Sequence, residues 1–68
     1  MIHYLIIGHA AFEEAESRVC VVQGEQPNSY LEKKFIKQIR EDWDYDPDKE
    51  IYVDFILKSN SPIQVQYG

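Results

Sequence analysis

Six carboxylates crowd into ten consecutive positions, EDWDYDPDKE, residues 41–50. Asp42, Asp44, Asp46 and Asp48 recur at every second residue, with Trp43, Tyr45 and Pro47 between them. In an extended chain this alternation points the four carboxylates one way, about 6.6 Å apart, and the rings the other. Residue types of this kind suit four uses. The plainest is a solvated connection in which Asp46-Pro47-Asp48 makes a turn, Asp at its first position and Pro at its second. A second is a docking strip for a protein with a basic surface, where charge steers the encounter and the rings anchor it. Mimicry of a nucleic-acid backbone is a special form of that use, and four carboxylates are a small footprint for it. A third is a calcium loop. D-x-D-x-D opens an EF-hand, but counting from Asp42 places Pro47 where glycine is needed and Val53 where the closing Glu is needed. Catalysis by paired carboxylates is the fourth, and it needs a dry pocket to split their pKa values.

Other reactive side chains are few. His3 and His9 are the imidazoles and Cys20 is the one thiol. His9 and Glu13 would meet on a helical turn, but two ligands fall short of the four of a structural zinc site. Cys20 sits in the apolar run RVCVV and reads as a small buried hydrophobe. No nucleophile–base arrangement and no glycine-rich phosphate cradle follows from these residues. The expectation is therefore a binding protein and not an enzyme, with no cofactor and no metal.

The elements that must position the acidic stretch are legible from periodicity. Residues 2–8 and 18–23 are rich in β-formers and end at Gly8 and Gly24, which predicts two strands joined by residues 9–17 and paired antiparallel. Ser29 opens S-Y-L-E, a capping box, ahead of a helix over about 30–42. Leu31, Phe35, Ile36, Ile39 and Trp43 share one stripe of that helix. Lys33, Lys34, Lys37 and Arg40 lie away from it and form a basic face. Residues 50–57 alternate, with Ile51, Val53, Phe55 and Leu57 on one face and Tyr52, Asp54 and Ile56 on the other. A final strand is predicted over 63–67. The fold class is α+β: a small antiparallel sheet in β-β-α-β-β order with one amphipathic helix packed on one face, forming a single domain over 1–68.

One helix covers one face, yet the first strand is apolar on both. A second interaction surface around Tyr4, Tyr52 and Ile56 is the expectation, and a second copy of the chain could cover it as a homodimer.

Size and charge narrow the function. With 68 residues, only about 60% of the unfolded surface is buried on folding, so a closed catalytic pocket is hard to build. A lone cysteine favours a reducing, cytoplasmic setting. The apolar N-terminal stretch has no preceding Lys or Arg and is too short to span a membrane, so it reads as a strand. Residues 41–50 hold six acids and one base, and the other 58 hold six of each, so the whole net charge of −5 is local. A local field steers a partner sharply. The reading is a small acidic protein that works by protein–protein contact through Asp42, Trp43, Asp44, Tyr45, Asp46 and Asp48. By analogy of size and charge alone, an inhibitor or regulator of the kind phages and other mobile elements encode fits that description. A nucleic-acid-binding module using Lys33, Lys34, Lys37 and Arg40 is the alternative. The acidic tract at the end of the same helix opposes it. A small metal-binding domain is the remaining alternative.

Overall fold

A computed structural model describes residues 1–63 of the chain. Three antiparallel strands form one sheet, and a single helix crosses one of its faces. Strand β1 spans Ile2–Ala10, β2 Ala15–Val22 and β3 Ile51–Ser59, with helix α1 over Asn28–Trp43 between β2 and β3. The strand order is β2-β1-β3, so β1 is central. Among the described residues the order is thus β-β-α-β. The strand expected over 63–67 lies outside them, save Ile63, which is in no strand.

The helix-facing side of the sheet is built by alternation along β1. Tyr4, Ile6, Gly8 and Ala10 are buried there. Leu31, Phe35 and Ile39 of α1 close onto them and are at most 1% exposed. Ile2, Cys20, Val22, Ile36, Ile51, Val53 and Ile56 pack around this core. Each fully buried aliphatic or aromatic side chain contributes about 1.5–3 kcal/mol, which for so short a chain makes this cluster the main source of stability.

Gly8 does not end β1, as its type had suggested. The strand runs two residues further, and Gly8 is the seat of the helix. A Cβ there would lie 2.1 Å from the Tyr52 carbonyl oxygen and 2.7 Å from the Phe35 ring. Only glycine lets backbone and ring approach so closely.

At the same place β3 bulges. Ile7 pairs with Phe55 but Gly8 pairs with Val53, so Asp54 is the extra residue. A bulge reverses the inside–outside alternation beyond it. Ile51 and Val53 therefore face the helix, but so does Ile56, while Phe55 and Leu57 turn to the open side and are 64% and 54% exposed. This corrects the strict alternation expected for residues 50–57. It also corrects the second candidate surface. Tyr4 is a core residue, Ile56 packs against the core, and Tyr52 alone of that trio lies exposed on the open face.

The helix begins earlier than expected. Pro27 is its N-cap, in extended conformation, and its carbonyl accepts from the N–H groups of Tyr30 and Leu31. Ser29 lies inside the first turn and no side chain caps it, so the expected capping box is not used. The rigid φ of Pro27 presets the chain for helix entry two residues sooner. At the far end Asp44 takes the left-handed conformation and its N–H donates to the Arg40 carbonyl, 3.0 Å away. That is a standard helix stop.

Gly8→Ala is expected to destabilise the protein by about 3 kcal/mol or more, at the upper end of overpacking costs, read as a shift in the urea midpoint. Truncating Phe35 to Ala in that background should not restore stability. It relieves the ring contact but leaves the clash with the Tyr52 carbonyl, and it opens a cavity of its own.

Candidate functional site

The β1–β2 connection is a four-residue turn closed by Glu13 N–H donating to the Ala10 carbonyl at 2.9 Å. Phe12 sits at its third position with φ 65°. That conformation is one glycine or asparagine ordinarily supplies, and for a bulky residue it costs on the order of 1–2 kcal/mol. The Phe12 ring packs on nothing: the residue is 104% exposed. Ala11 N–H donates to the Glu50 carbonyl at 2.8 Å, which ties this turn to the start of β3.

The acidic connection lies beside it. Trp43, the last helical residue, is 53% exposed, and Tyr45 follows it half-buried against the core. An open cleft of about 330 Å³ runs between turn and connection, lined by Phe12, Glu13, Glu14, Glu16, Trp43 and Tyr45. Three rings and three carboxylates thus meet at one end of the molecule. Reading the chain as a linear strip could not find Phe12, Glu13, Glu14 and Glu16, because the hairpin brings them to Trp43 and Tyr45 from 27 to 33 residues away.

The acidic stretch itself is not an extended comb. Asp42 belongs to α1, Asp44 takes the left-handed cap, and Asp46 opens a turn, so the four Asp side chains do not share one direction. The turn is the one expected from its residue types. Lys49 N–H donates to the Asp46 carbonyl at 2.9 Å, and Asp48 N–H to Asp46 Oδ1 at 3.0 Å. Arg40 holds it from below: Nη1 donates to the Asp46 carbonyl at 3.2 Å and Nη2 to the Lys49 carbonyl at 2.8 Å. Arg40 is therefore a clamp on the acidic connection. Of the four basic residues on the helix, Lys33, Lys34 and Lys37 are exposed; they line a shallow groove with Tyr30, over whose ring Lys34 Nζ lies 5.5 Å from the centroid.

Part of the negative charge is neutralised in place. Arg18 of β2 reaches Asp42 with Nε at 2.9 Å and Nη2 at 2.7 Å, and Glu16 with Nη1 at 3.4 Å. The Arg18 hydrogen bond holds the Asp42 carboxyl below the ordinary carboxylate range, and Gln38 at 3.0 Å adds to the effect. Burial works against the Arg18 charge, but Asp42 and Glu16 outweigh it and leave the guanidinium pKa raised. Lys49 bonds Glu13 at 2.7 Å and lies 4.9 Å from the centroid of the Tyr45 ring. Among the described residues the carboxylates of Glu14, Glu41, Asp44 and Asp48 have no such partner. Of the carboxylates that line the cleft, Glu13 and Glu16 are engaged by Lys49 and Arg18, and Glu14 has no such partner among the described residues; Asp44 and Asp48 carry their charge on the adjoining connection.

The remaining reactive groups lie elsewhere. His9 is in β1 on the open sheet face; its Nδ1 is 2.8 Å from Asp54 Oδ2 and its ring 5.3 Å from that of Tyr52. It does not pair with Glu13, as a helical turn would have required. The Tyr52 hydroxyl donates to Glu50, which raises the Tyr52 pKa. Cys20 is half-buried against the core. Among the described residues no three His, Cys, Asp or Glu side chains converge as a metal-binding set. No helix among them is long and apolar enough to cross a membrane.

Asp42→Asn tests the Arg18 link between β2 and α1. Because the folded-state pKa of Asp42 is depressed, its stabilisation is fully present above the ordinary carboxylate pKa and is lost as pH falls through the folded value. The variant should melt below the wild type at pH 7, and the difference should shrink as pH falls below the ordinary carboxylate value of about 3.9, followed by circular dichroism melts across pH. Compared with known proteins, the chain matches no family model, no curated protein and no solved structure.

Proposed function

We propose that this protein acts by binding another protein, and that the acidic-aromatic cleft receives a basic segment of that partner. Phe12 carries the reading. A phenylalanine held on a left-handed backbone with its whole ring in water is unfavourable twice over, and local strain of this kind concentrates at ligand clamps. Contact with a partner would offset the exposure. Trp43 and Tyr45 flank it, and large rings at the centre of a contact supply most of its energy. The free carboxylates of Glu14, Asp44 and Asp48 supply the steering field. Lysine and arginine match both features, since their stems lie on rings while their charges meet carboxylates. The original strip of Asp42, Trp43, Asp44, Tyr45, Asp46 and Asp48 is retained in this reading with unequal roles. Asp42 and Asp46 maintain the shape of the site, and Trp43, Tyr45, Asp44 and Asp48 face the partner. A role as inhibitor or regulator of a larger protein is consistent with a surface of this kind and rests on size and charge.

Trp43 is the single tryptophan, so its emission reports on the cleft directly. Titration with a peptide of alternating Arg and Leu should shift it, and the shift should weaken with added salt. An acidic peptide of the same length should leave it unchanged. Asp44→Lys with Asp48→Lys, which leaves the shape-holding Asp42 and Asp46 in place, should weaken binding at least tenfold, whereas Lys33→Glu with Lys37→Glu should not. No response to the basic peptide, or equal binding by the Asp44/Asp48 double variant, removes the cleft from the function. Salt-sensitive retention on single-stranded DNA, lost on Lys33→Glu with Lys37→Glu, would transfer it to the helix.

Phe12→Gly separates binding from folding. Glycine relieves the left-handed backbone but adds unfolded-state entropy worth about 0.4–1 kcal/mol, so stability should stay level or rise slightly while peptide affinity falls. A fall in the unfolding midpoint with unchanged affinity would make Phe12 a structural residue.

A further inference from the structure

The sheet face opposite the helix has no cover among the described residues. The pairing registers place His3, Leu5, Ile7 and His9 of β1 there, with Val19 and Val21 of β2 and Tyr52, Phe55 and Leu57 of β3. The exposed large hydrophobics of the sheet are all on this side: Val19, Val21, Tyr52, Phe55 and Leu57. An apolar patch this continuous on a small protein marks an interaction surface. The bulge at Asp54 enlarges it, because without that extra residue Phe55 and Leu57 would point at the helix.

We infer that a second copy of this chain covers this face, the two sheets packing face to face as a two-fold dimer. The argument is one of charge and area. Among the described residues the carboxylates at this face are Asp54, bonded to His9 at 2.8 Å, and Glu50 at its edge, bonded by the Tyr52 hydroxyl, so each already has a partner within the chain and the surface offers little to a charged partner. A sheet of three strands, nine residues long at most, measures roughly 30 by 15 Å. That footprint is about 450 Å², and because the exposed side chains of Val19, Val21, Tyr52, Phe55 and Leu57 stand out from the sheet plane, the accessible area buried against a copy would be on the order of 600 Å² per protomer, near the lower bound of about 1,200 Å² in total for a specific interface.

The acidic cleft selects between the two symmetric ways of stacking. A two-fold axis parallel to β1 would bring both acidic ends together. An axis across the strands sends them to opposite ends of the pair, separated by about the length of the sheet, well beyond the ~8 Å screening length at physiological salt. In that arrangement β3 lies over β3, and each Phe55 packs near Leu57 of the second copy. Both clefts stay open at the two ends, so the dimer would present two binding sites facing apart. It does not depend on what the clefts bind.

Sedimentation equilibrium of the full chain tests this. The wild type should show twice the 8.0 kDa monomer mass at micromolar concentration, with little dependence on salt. Phe55→Glu should raise the dimer Kd at least about 100-fold, the effect of losing a central anchor, and so should Leu57→Lys, a separate probe should one variant fold poorly. Far-UV circular dichroism should match the wild type for both. Asp44→Lys with Asp48→Lys should leave the dimer intact. In the dimer, spin labels at Phe12→Cys in a Cys20→Ser background should lie more than about 30 Å apart, a separation set by the strand length. A wild type that stays monomeric at about 100 µM, a dimer indifferent to both Phe55→Glu and Leu57→Lys, or labels close together would each overturn the proposal. Peptide titration of Trp43 in the Phe55→Glu monomer should be unchanged, which keeps the cleft and the dimer separately testable.

Discussion

The contact of the Phe35 ring with the bare backbone of Gly8 organises this protein. The missing Cβ of Gly8 lets the helix sit close to the sheet, with Phe35 against the strand backbone. The Tyr52 carbonyl closes in from the other side, 2.1 Å from where that Cβ would be. The bulge at Asp54 belongs to the same local arrangement, since the register shifts between Ile7 and Gly8. Both proposed contact surfaces follow from this point. The helix seat decides where Trp43 emerges, next to the hairpin turn that carries Phe12. The bulge decides that Phe55 and Leu57 leave the core side for the open face.

The acidic end shows how a small protein keeps concentrated charge without losing its shape. Arg18, Arg40 and Lys49 each fasten one part of it: Arg18 joins β2 to the helix terminus, Arg40 holds two carbonyls of the turn, and Lys49 ties the turn to Glu13 of the hairpin. Exposed pairs of this sort contribute modestly to stability. Their value is geometric, because they hold the acidic connection against the hairpin turn, with three rings and the carboxylates of Glu13, Glu14 and Glu16 around one cleft. Surface charge is retained where it faces water, and cations are spent only where acids would otherwise crowd the backbone.

Much of the secondary structure was legible in the residue order. The amphipathic stripe of Leu31, Phe35, Ile36, Ile39 and Trp43 named the helix and its buried side, save that Trp43 at its end is 53% exposed, and the alternation of Ile2, Tyr4 and Ile6 against Leu5 and Ile7 named both faces of β1. Asp46-Pro47-Asp48 announced its turn. The errors share a cause. Gly8 read as a strand end because a close approach by a distant ring has no local signal. Strict alternation through 50–57 put Phe55 and Leu57 inside and Ile56 outside, since a bulge is set by the partner strand. The acidic strip read as extended because nothing in it revealed that Asp44 would take the left-handed cap or that Arg18 would reach across to Asp42.

By itself the sequence determined composition-level and short-range facts: the α+β class, the amphipathic helix, the local concentration of charge and the absence of any recognisable reactive motif. These depend on neighbours within a few residues, where backbone preference and periodicity decide. Tertiary structure alone decided which rings share a cleft and which face of β3 is wet. Those outcomes depend on contacts between residues dozens of positions apart, and such contacts exist only once Phe35 has settled onto Gly8 and the strands have found their register.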